Sequence, residues 1–322
     1  MATVESNWAR VSAGLRQELK DTLDQAEIKG LHEKKPWIHL LVALRQFFFL
    51  AAATWFLIHF STPLIVVPAA LLSGFTVFNF TVLLHEQLHS LIFSGRRPLL
   101  NGFLGQLYAS WSGISCSQFT CWHLDHHAQL GTETLDPKRH HLSPKKNRRL
   151  IKIAYFTPAL FFIYFRAAAR ENATYPPELR RKIARERITT IGGHLLVQAI
   201  LLLFGSGAIW FRAYCLPVFF VIPIAFAINR IGQHYNIKES DPAGWTTWIR
   251  GNWFWDFLFI NSNYHLEHHY FPGIPFYNLP RLQRILQPVY LRHGMTPHSY
   301  PELLYCYLAL NKAPHTDWDF AG

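Results

Sequence analysis

Four long apolar runs alternate with polar, basic stretches along this chain. The first two occupy residues 37–60 and 62–84 and are separated by a Ser-Thr-Pro turn, and the second two occupy residues 188–211 and 214–228. A helix of about 20 apolar residues is long enough to cross the hydrocarbon core of a bilayer. The pattern therefore predicts four transmembrane helices arranged as two hairpins.

Two shorter apolar stretches, residues 91–114 and 151–166, contain Gly, Pro or charged residues. We interpret them as interfacial or re-entrant helices. The Trp-Phe-Trp sequence at 253–255 is typical of the aromatic belt at a membrane surface. The predicted fold is an all-α integral membrane protein, in which the non-spanning helices form a cytosolic cap.

The chain contains no linker that suggests a second domain and no repeat beyond the two hairpins. We therefore expect a single domain over residues 1–322. Its predicted parts are a polar cytosolic N-terminal segment, a membrane core and a C-terminal tail, at residues 1–36, 37–290 and 291–322. The polar start of the chain does not resemble a cleavable signal peptide.

Composition supports the membrane assignment. Half of the residues are hydrophobic and only 16% are charged, whereas soluble domains carry about a quarter charged residues. The net charge of +11 is concentrated beside the apolar runs, which is typical of the positive-inside rule and not of a nucleic-acid-binding surface. Both termini, the 85–187 loop and the C-terminal third are therefore expected in the cytoplasm. We expect a multi-pass protein in a bacterial inner membrane, with the endoplasmic reticulum as the alternative.

Histidines recur at tight spacings in three places, which we call box 1, box 2 and box 3. Their one-letter patterns are HxxxH, HxxHH and HxxHH, and their histidines are His85 and His89; His123, His126 and His127; and His265, His268 and His269. Residues i, i+3 and i+4 of a helix lie on one face, so each box is predicted to direct its imidazoles to one spot. All three boxes fall on the predicted cytoplasmic side.

Eight imidazoles are too many for one tetrahedral metal ion, which takes four ligands. They fit two metal ions, each with room for an exogenous ligand such as oxygen. Isolated histidines are interpreted as structural, and the adjacent pair at 140 and 141 as solvated. The isolated histidines are His32, His39, His59, His194, His293, His298 and His315.

The three boxes, placed after two spans, in the following loop and after two more spans, resemble those of the membrane fatty acid desaturase superfamily, which includes hydroxylases. Asp136-Pro137 after box 2 and the stretch 263–280 around box 3 also match, and the resemblance covers about residues 37–290. It implies a cytosolic cap that holds two non-haem irons, with O2 as co-substrate for attack on an unactivated C–H bond. It also implies a ninth ligand, His234, just after the fourth span.

Metal-bound imidazoles usually donate their second N–H to a carboxylate or carbonyl. Acids in or near the boxes are therefore candidates to orient the ligands, although each has the alternative of being a solvated surface acid. They are Glu86, Asp125, Asp136, Asp256 and Glu267. No catalytic residue is assigned beyond the metal ligands.

The leading prediction is an O2-dependent di-iron oxidoreductase, an acyl-lipid desaturase. The alternative is a hydroxylase or oxygenase of a fatty acid or smaller metabolite, because both outcomes share the first hydrogen abstraction. Box 1 also reads HExxH, the zinc protease motif with Glu86 as general base, but that leaves the other boxes unexplained. A histidine-rich metal transporter is the remaining alternative.

Electrons are expected from a separate protein. The sequence has neither the haem motif of a fused cytochrome b5 domain nor a cysteine cluster for an iron–sulfur centre. The expected partners are a ferredoxin or cytochrome b5 with its reductase, and membrane lipid. The basic cytoplasmic surface is suited to steer an acidic carrier or to bind anionic lipid headgroups.

Overall fold

This computed structural model describes residues 7–238 and 245–318. All regular secondary-structure elements of these residues are helices. The α-helices are α1 (Asn7–Val11), α2 (Ala13–Asp21), α3 (Gln25–Leu31), α4 (Pro36–His59), α5 (Pro63–Leu88), α6 (Pro98–Trp111), α7 (Cys116–Ala128), α8 (Arg149–Ala154), α9 (Ala159–Asn172), α10 (Pro177–Leu203), α11 (Gly207–Trp210), α12 (Ile222–His234), α13 (Trp253–Leu258), α14 (His265–Tyr270), α15 (Leu279–Arg292) and α16 (Tyr300–Leu304). Three π-helical segments and one 3₁₀ turn lie at Lys138–Leu142, Phe211–Val221, Tyr305–Ala309 and Phe276–Asn278. The all-α prediction is confirmed for these residues.

Four helical stretches of the described chain are long and apolar enough to cross a membrane, as predicted. They cover Gln25–His59, Pro63–Leu88, Pro177–Leu203 and Gly207–His234. Large apolar side chains on their surfaces are exposed, including Phe48 on α4 and Leu203 on α10. Such apolar surface is stable in lipid and costly in water.

The break between the third and fourth long helices differs from the prediction. The run at 188–211 was expected to be one span, with the break near Arg212. Instead α10 ends at Leu203, and the next helix begins at Gly207. The physical reason lies in Gly205 and Ser206: glycine weakens a helix, and the Ser206 side chain accepts from the backbone N–H of Ile209 as an N-cap.

The chain divides into two compact units. The first comprises residues 1–33, 121–153 and 228–322, and the second comprises residues 34–120 and 154–227. In the second unit α5 packs against α4, α6 and the π-helical segment Phe211–Val221. Gly74 of α5 permits a close approach to the π-helical segment, because a Cβ there would overlap the side chain of Val221.

Three hydrogen bonds to one carboxylate fix the start of α7, the helix that carries box 2. Glu186 of α10 accepts from the hydroxyls of Ser115 and Ser117, both at 2.6 Å, and from the backbone N–H of Ser117 at 2.9 Å. A carboxylate at a helix N-terminus satisfies free N–H groups and interacts favourably with the helix dipole.

The first unit is built around an apolar core of its own. Leu15 and Leu19 of α2 pack with Leu282, Leu286 and other buried residues of α15. The short helix α14 packs against α15, and all six of its residues are buried. Its Leu266 and Tyr270 belong to this core, which fixes the rotation of the helix about its axis and hence the directions of its histidines.

Candidate metal centre

Four histidines of the first unit bring their ring nitrogens together, and we call them the four-histidine set: His126, His234, His265 and His269. All four are buried, and their ligand atoms lie within 4.8 Å of one another. The Nε2 atom of His234 lies 3.1 Å from that of His126 and 2.9 Å from that of His265. The Nε2 atoms of His265 and His269 are 3.0 Å apart.

The hydrogen-bond partners of His126 and His234 determine which ring nitrogen carries the proton. Nδ1 of His126 lies 2.9 Å from Oδ1 of Asp136, and Nδ1 of His234 lies 3.1 Å from the backbone carbonyl oxygen of Trp245. A carboxylate and a carbonyl only accept, so each Nδ1 donates and each neutral ring has a bare lone pair at Nε2. These two Nε2 atoms face each other, and two lone pairs at 3.1 Å repel unless a cation binds both.

Protonated imidazoles do not account for the arrangement. Burial, with nearby Lys138, holds the pKa of His126 well below its usual range. Burial, with the neighbouring imidazoles, has the same effect on the pKa of His269. Neutral imidazole is the form that ligates metals. The four-histidine set therefore fits a metal ion.

The nitrogen separations also indicate a coordination geometry. For a metal–nitrogen distance of about 2.1 Å, ligands at right angles are about 3.0 Å apart, and ligands at the corners of a tetrahedron are about 3.4 Å apart. Three of the six nitrogen pairs, at 2.9 to 3.1 Å, are close to the right-angle value, and all four ligand atoms lie within 4.8 Å of one another. Such a set suits a five- or six-coordinate metal, which keeps a position for an exogenous ligand, better than tetrahedral zinc.

Three more histidines of the first unit form a second group, the three-histidine set: His123, His127 and His268. The Nε2 atoms of His127 and His268 are 3.1 Å apart, and the rings of His123 and His127 have centroids 4.5 Å apart. Nζ of Lys138, a partly buried residue, lies 3.0 Å from Nδ1 of His123. Burial lowers the pKa of Lys138 to about 7, and in its neutral form the amine can accept a hydrogen bond from the Nδ1–H group.

The two sets divide boxes 2 and 3 in the same way, which corrects the prediction that each box points to one spot. In each box the histidines at i and i+4 join one set, and the histidine at i+3 joins the other. Adjacent residues of a helix project about 100° apart, so the consecutive histidines of an HxxHH box cannot share a target. Each set thus takes two imidazoles from one box and one from the other.

Box 1 lies at the end of α5, in the second unit. His85 is in the last turn of α5, and His89 follows it as the C-cap residue. Their ring centroids are 4.8 Å apart, as expected for positions i and i+4 of one helical turn.

The candidate orienting acids differ in their contacts. Asp136 is buried and bonds to His126. Glu267 is buried and accepts from Gln283 at 2.9 Å, and burial raises the pKa of its carboxyl to about 7. Glu86 Oε1 lies 3.6 Å from Nδ1 of its neighbour His85, beyond hydrogen-bond distance. Of the two remaining acids, Asp125 is exposed, and Asp256 accepts hydrogen bonds from Asn263 and Tyr264.

Sequence reasoning did not identify several residues that contact the four-histidine set or lie beside it. His315, interpreted as an isolated structural histidine, is partly buried, with Nδ1 3.0 Å from the backbone oxygen of His234 and Nε2 2.8 Å from Oγ of Ser143. Arg230 donates to the same hydroxyl. Lys138 and the Trp245 carbonyl were also missed. The proximity of Lys138 to Asp136 was the one available signal, because the other contacts join residues far apart in the chain.

Replacing Asp136 with asparagine is expected to lower metal affinity and turnover about 10- to 100-fold. The amide keeps the size of the side chain, but it removes the charge that holds the proton on Nδ1 of His126. Metal titration and turnover of the purified variant measure the effect. Asp125→Asn is the matched control, since Asp125 lies in the same box but is exposed. Equal losses in both variants would contradict the assigned role of Asp136.

The chain matches the fatty acid desaturase family model over residues 61–301. It is 24% identical over 286 residues to a putative sphingolipid delta(4)-desaturase/C4-monooxygenase of Caenorhabditis elegans, covering 86% of this chain and 74% of that protein. It is 24% identical over 241 residues to a Homo sapiens sphingolipid delta(4)-desaturase/C4-monooxygenase, covering 70% and 67%. A Drosophila melanogaster sphingolipid delta(4)-desaturase is 25% identical over 262 residues, covering 76% and 73%.

Proposed function

The chain belongs to the fatty acid desaturase family, and from this premise we propose that it is an O2-dependent di-iron enzyme that desaturates a long alkyl chain of a membrane lipid. The family and its relatives make it a membrane oxidoreductase, a desaturase or hydroxylase. The observation that carries the finer proposal is the four-histidine set. Its two facing lone pairs would be stabilised by a bound cation, which supports a metal at this position, and its nitrogen separations support a metal with an open position rather than tetrahedral zinc.

Nine histidines would hold the two irons in this proposal. The four-histidine set would hold one and the three-histidine set the other, and the family resemblance implies that His85 and His89 of box 1 complete the nine ligands. When bound, an iron pair supplies the open coordination positions and redox chemistry with which O2 oxidises an unactivated C–H bond. The nine neutral imidazoles add no negative charge to offset the charge of the metal ions that they would hold.

The remaining residues of the site position and shield these ligands. Asp136 and the Trp245 carbonyl keep the protons of His126 and His234 on Nδ1, so that both Nε2 atoms stay available. Burial of the whole four-histidine set excludes bulk water, which strengthens electrostatic interactions there and protects reactive species from side reactions.

Sphingolipids are the first substrate class to test, because the printed names of the relatives specify them. Two of those names also specify C4-monooxygenase activity, so hydroxylation is the second candidate function. Desaturation removes a second hydrogen, whereas hydroxylation returns oxygen to the carbon. A zinc protease remains the weaker alternative, because HExxH leaves seven of the nine proposed ligands without a role.

The proposed topology has two helical hairpins with the boxes and both termini on the cytoplasmic side, in a bacterial inner membrane or the endoplasmic reticulum. The supporting observation is the excess of Lys and Arg outside the links that follow residues 60 and 211. A reporter fused after the last residue should be active in the cytoplasm. Activity only on the opposite side would overturn this orientation.

Lipid analysis of a host that expresses the chain tests the function directly. We expect a new lipid two mass units lighter than its precursor for desaturation, or one that carries ¹⁸O from ¹⁸O₂ for hydroxylation. A host expressing His265→Ala at equal protein level is the matched control. The proposal fails if neither product forms in a host that is supplied with sphingolipid and glycerolipid precursors and an electron-transfer system.

A further inference from the structure

His315, near the end of the chain, has a left-handed backbone conformation. Its φ is +59°, a value that residues other than glycine seldom adopt. Residues persist in such conformations only where the surrounding structure holds them, and they are common at functional sites. In His315 the conformation places the imidazole between the end of α12 and the hydroxyl of Ser143.

The end of α12 is the first of these two contacts. α12 ends at His234, a member of the four-histidine set, and the carbonyl of the last residue of a helix has no N–H partner within that helix. Nδ1 of His315 lies 3.0 Å from this carbonyl oxygen and donates to it, since a carbonyl only accepts. The carbonyl of Gln233 accepts from the backbone N–H of Thr247 at 2.8 Å. The last turn of α12, which determines where the ring of His234 points, is therefore fixed by residues outside the helix.

The other ring nitrogen of His315 belongs to a hydrogen-bond network that returns to α12. When Nδ1 donates, the lone pair of the neutral ring is at Nε2, and the hydroxyl of Ser143 lies 2.8 Å from that atom. The same hydroxyl accepts from Arg230 at 3.0 Å. Arg230 is one turn before His234 on α12, and it also donates to the carbonyl of Lys138 at 3.0 Å. These bonds hold the imidazole of His315 in one orientation relative to α12.

This network also reaches a second member of the four-histidine set. The backbone N–H of Lys138 donates to Oδ1 of Asp136 at 2.9 Å, and the same oxygen accepts from Nδ1 of His126 at 2.9 Å. His126 and His234, whose Nε2 atoms face each other at 3.1 Å, are thus supported by one set of connected hydrogen bonds.

We propose that His315 is a positioning residue for the metal centre. It caps α12 through the carbonyl of His234, and it thereby keeps Nε2 of His234 directed at the position that the metal would occupy. This role rests on the proposed function for the identity of the metal, which is iron.

The alternative role for His315 is to anchor the segment 305–318. Lys152 already serves that purpose, because its buried ammonium donates to the carbonyls of Tyr307 at 3.0 Å and Lys312 at 2.6 Å. Anchoring requires neither a contact with the backbone of a metal ligand nor a left-handed conformation. Both features of His315 favour the positioning role.

The test measures how fast a chelator removes iron from the anaerobic Fe(II)-loaded protein in phosphatidylcholine nanodiscs. His315→Gly removes both hydrogen bonds of the ring and adds no backbone strain, because glycine adopts a positive φ readily. We expect it to speed the release of one of the two irons about tenfold or more, as is typical when a residue that orients a ligand is lost. That iron should be the one that His265→Ala lacks, and its Mössbauer quadrupole splitting should change.

His315→Asn is the conservative variant. Asparagine also tolerates a left-handed backbone, and its amide nitrogen can donate to the carbonyl of His234 from a position close to that of Nδ1. We expect release of the same iron within about threefold of the wild type, with the wild-type Mössbauer signal. Ser143→Ala removes the hydroxyl beside Nε2 and should speed this release about fivefold, the effect of one hydrogen bond.

Lys152→Met is the matched control for loss of anchoring. It leaves the carbonyls of Tyr307 and Lys312 without this donor, so it should lower the midpoint of thermal unfolding but leave both iron release rates unchanged. The positioning role is overturned if His315→Gly and Ser143→Ala release iron at wild-type rates, or if His315→Asn is as fast as His315→Gly. It is also overturned if Lys152→Met speeds release as much as His315→Gly.

Iron release is measured without oxygen or lipid, so the two proposals fail separately. A wild type that forms no lipid product, in a series that shows the expected release rates, would support the role of His315 and refute the proposed function. Lipid products together with unchanged release rates in the variants would refute only the role of His315.

Discussion

Replacing His265 with alanine is expected to remove one of two bound metal ions and to lower turnover by about 100-fold or more. The loss should exceed the 10- to 100-fold typical of residues that only orient a ligand, because His265 lies at the centre of the four-histidine set. Its Nε2 is 2.9 Å from that of His234 and 3.0 Å from that of His269. Elemental analysis of the purified protein and turnover in nanodiscs provide the measurements.

His293→Ala is the matched control for the loss of a histidine. His293 is exposed and pairs with Glu18 at the surface, and such exposed ion pairs contribute little to stability. This variant should keep both metal ions and full turnover. If His265→Ala retained two metals and wild-type turnover, the assignment of the four-histidine set as a metal centre would be wrong.

Replacing Gly131 with alanine is expected to destabilise the protein by about 3 kcal/mol or more and to reduce its metal content. Gly131 has a φ of +79°, which costs other residues about 1 to 2 kcal/mol, and a Cβ there would overlap the ring of Trp245. Overpacking adds about 1 to 3 kcal/mol. Displacement of Trp245 moves the carbonyl that accepts from His234, so the metal centre is affected too.

Thermal unfolding and metal analysis measure this effect, with an expected fall in midpoint of about 5 °C or more. Gly102→Ala is the control: Gly102 is inside α6 and a Cβ there would meet no atom within 4 Å. Alanine favours a helix by up to about 1 kcal/mol over glycine, so this variant should be as stable as the wild type or more so. Gly131→Ala behaving like Gly102→Ala would refute the packing argument.

The sequence by itself determined the four membrane-capable helices and the family. Hydropathy over about 20 residues and the spacing of histidines within one helical turn are local properties, and neither depends on the rest of the chain. The error in placing the third span is also local in origin. The hydropathy pattern does not show that Gly205 and Ser206 end one helix and cap the next, because apolar residues continue on both sides of the break.

The candidate positions of the metal ligands were also available from sequence, but their grouping was not. His126 and His127 are neighbours in the chain and belong to different sets, because consecutive helical residues project in different directions and the surrounding core fixes each helix's rotation. For box 3 that core includes Leu266 and Tyr270.

Only the tertiary structure decided which ring nitrogens are available to a metal. That choice depends on Asp136, ten residues after His126, and on the backbone carbonyl of Trp245, which no side-chain pattern encodes. The partly buried contacts of His315 with residues 234 and 143 have the same origin. A hydrogen bond between distant segments forms only after packing has brought them together, so it cannot be predicted from the spacing of residues along the chain.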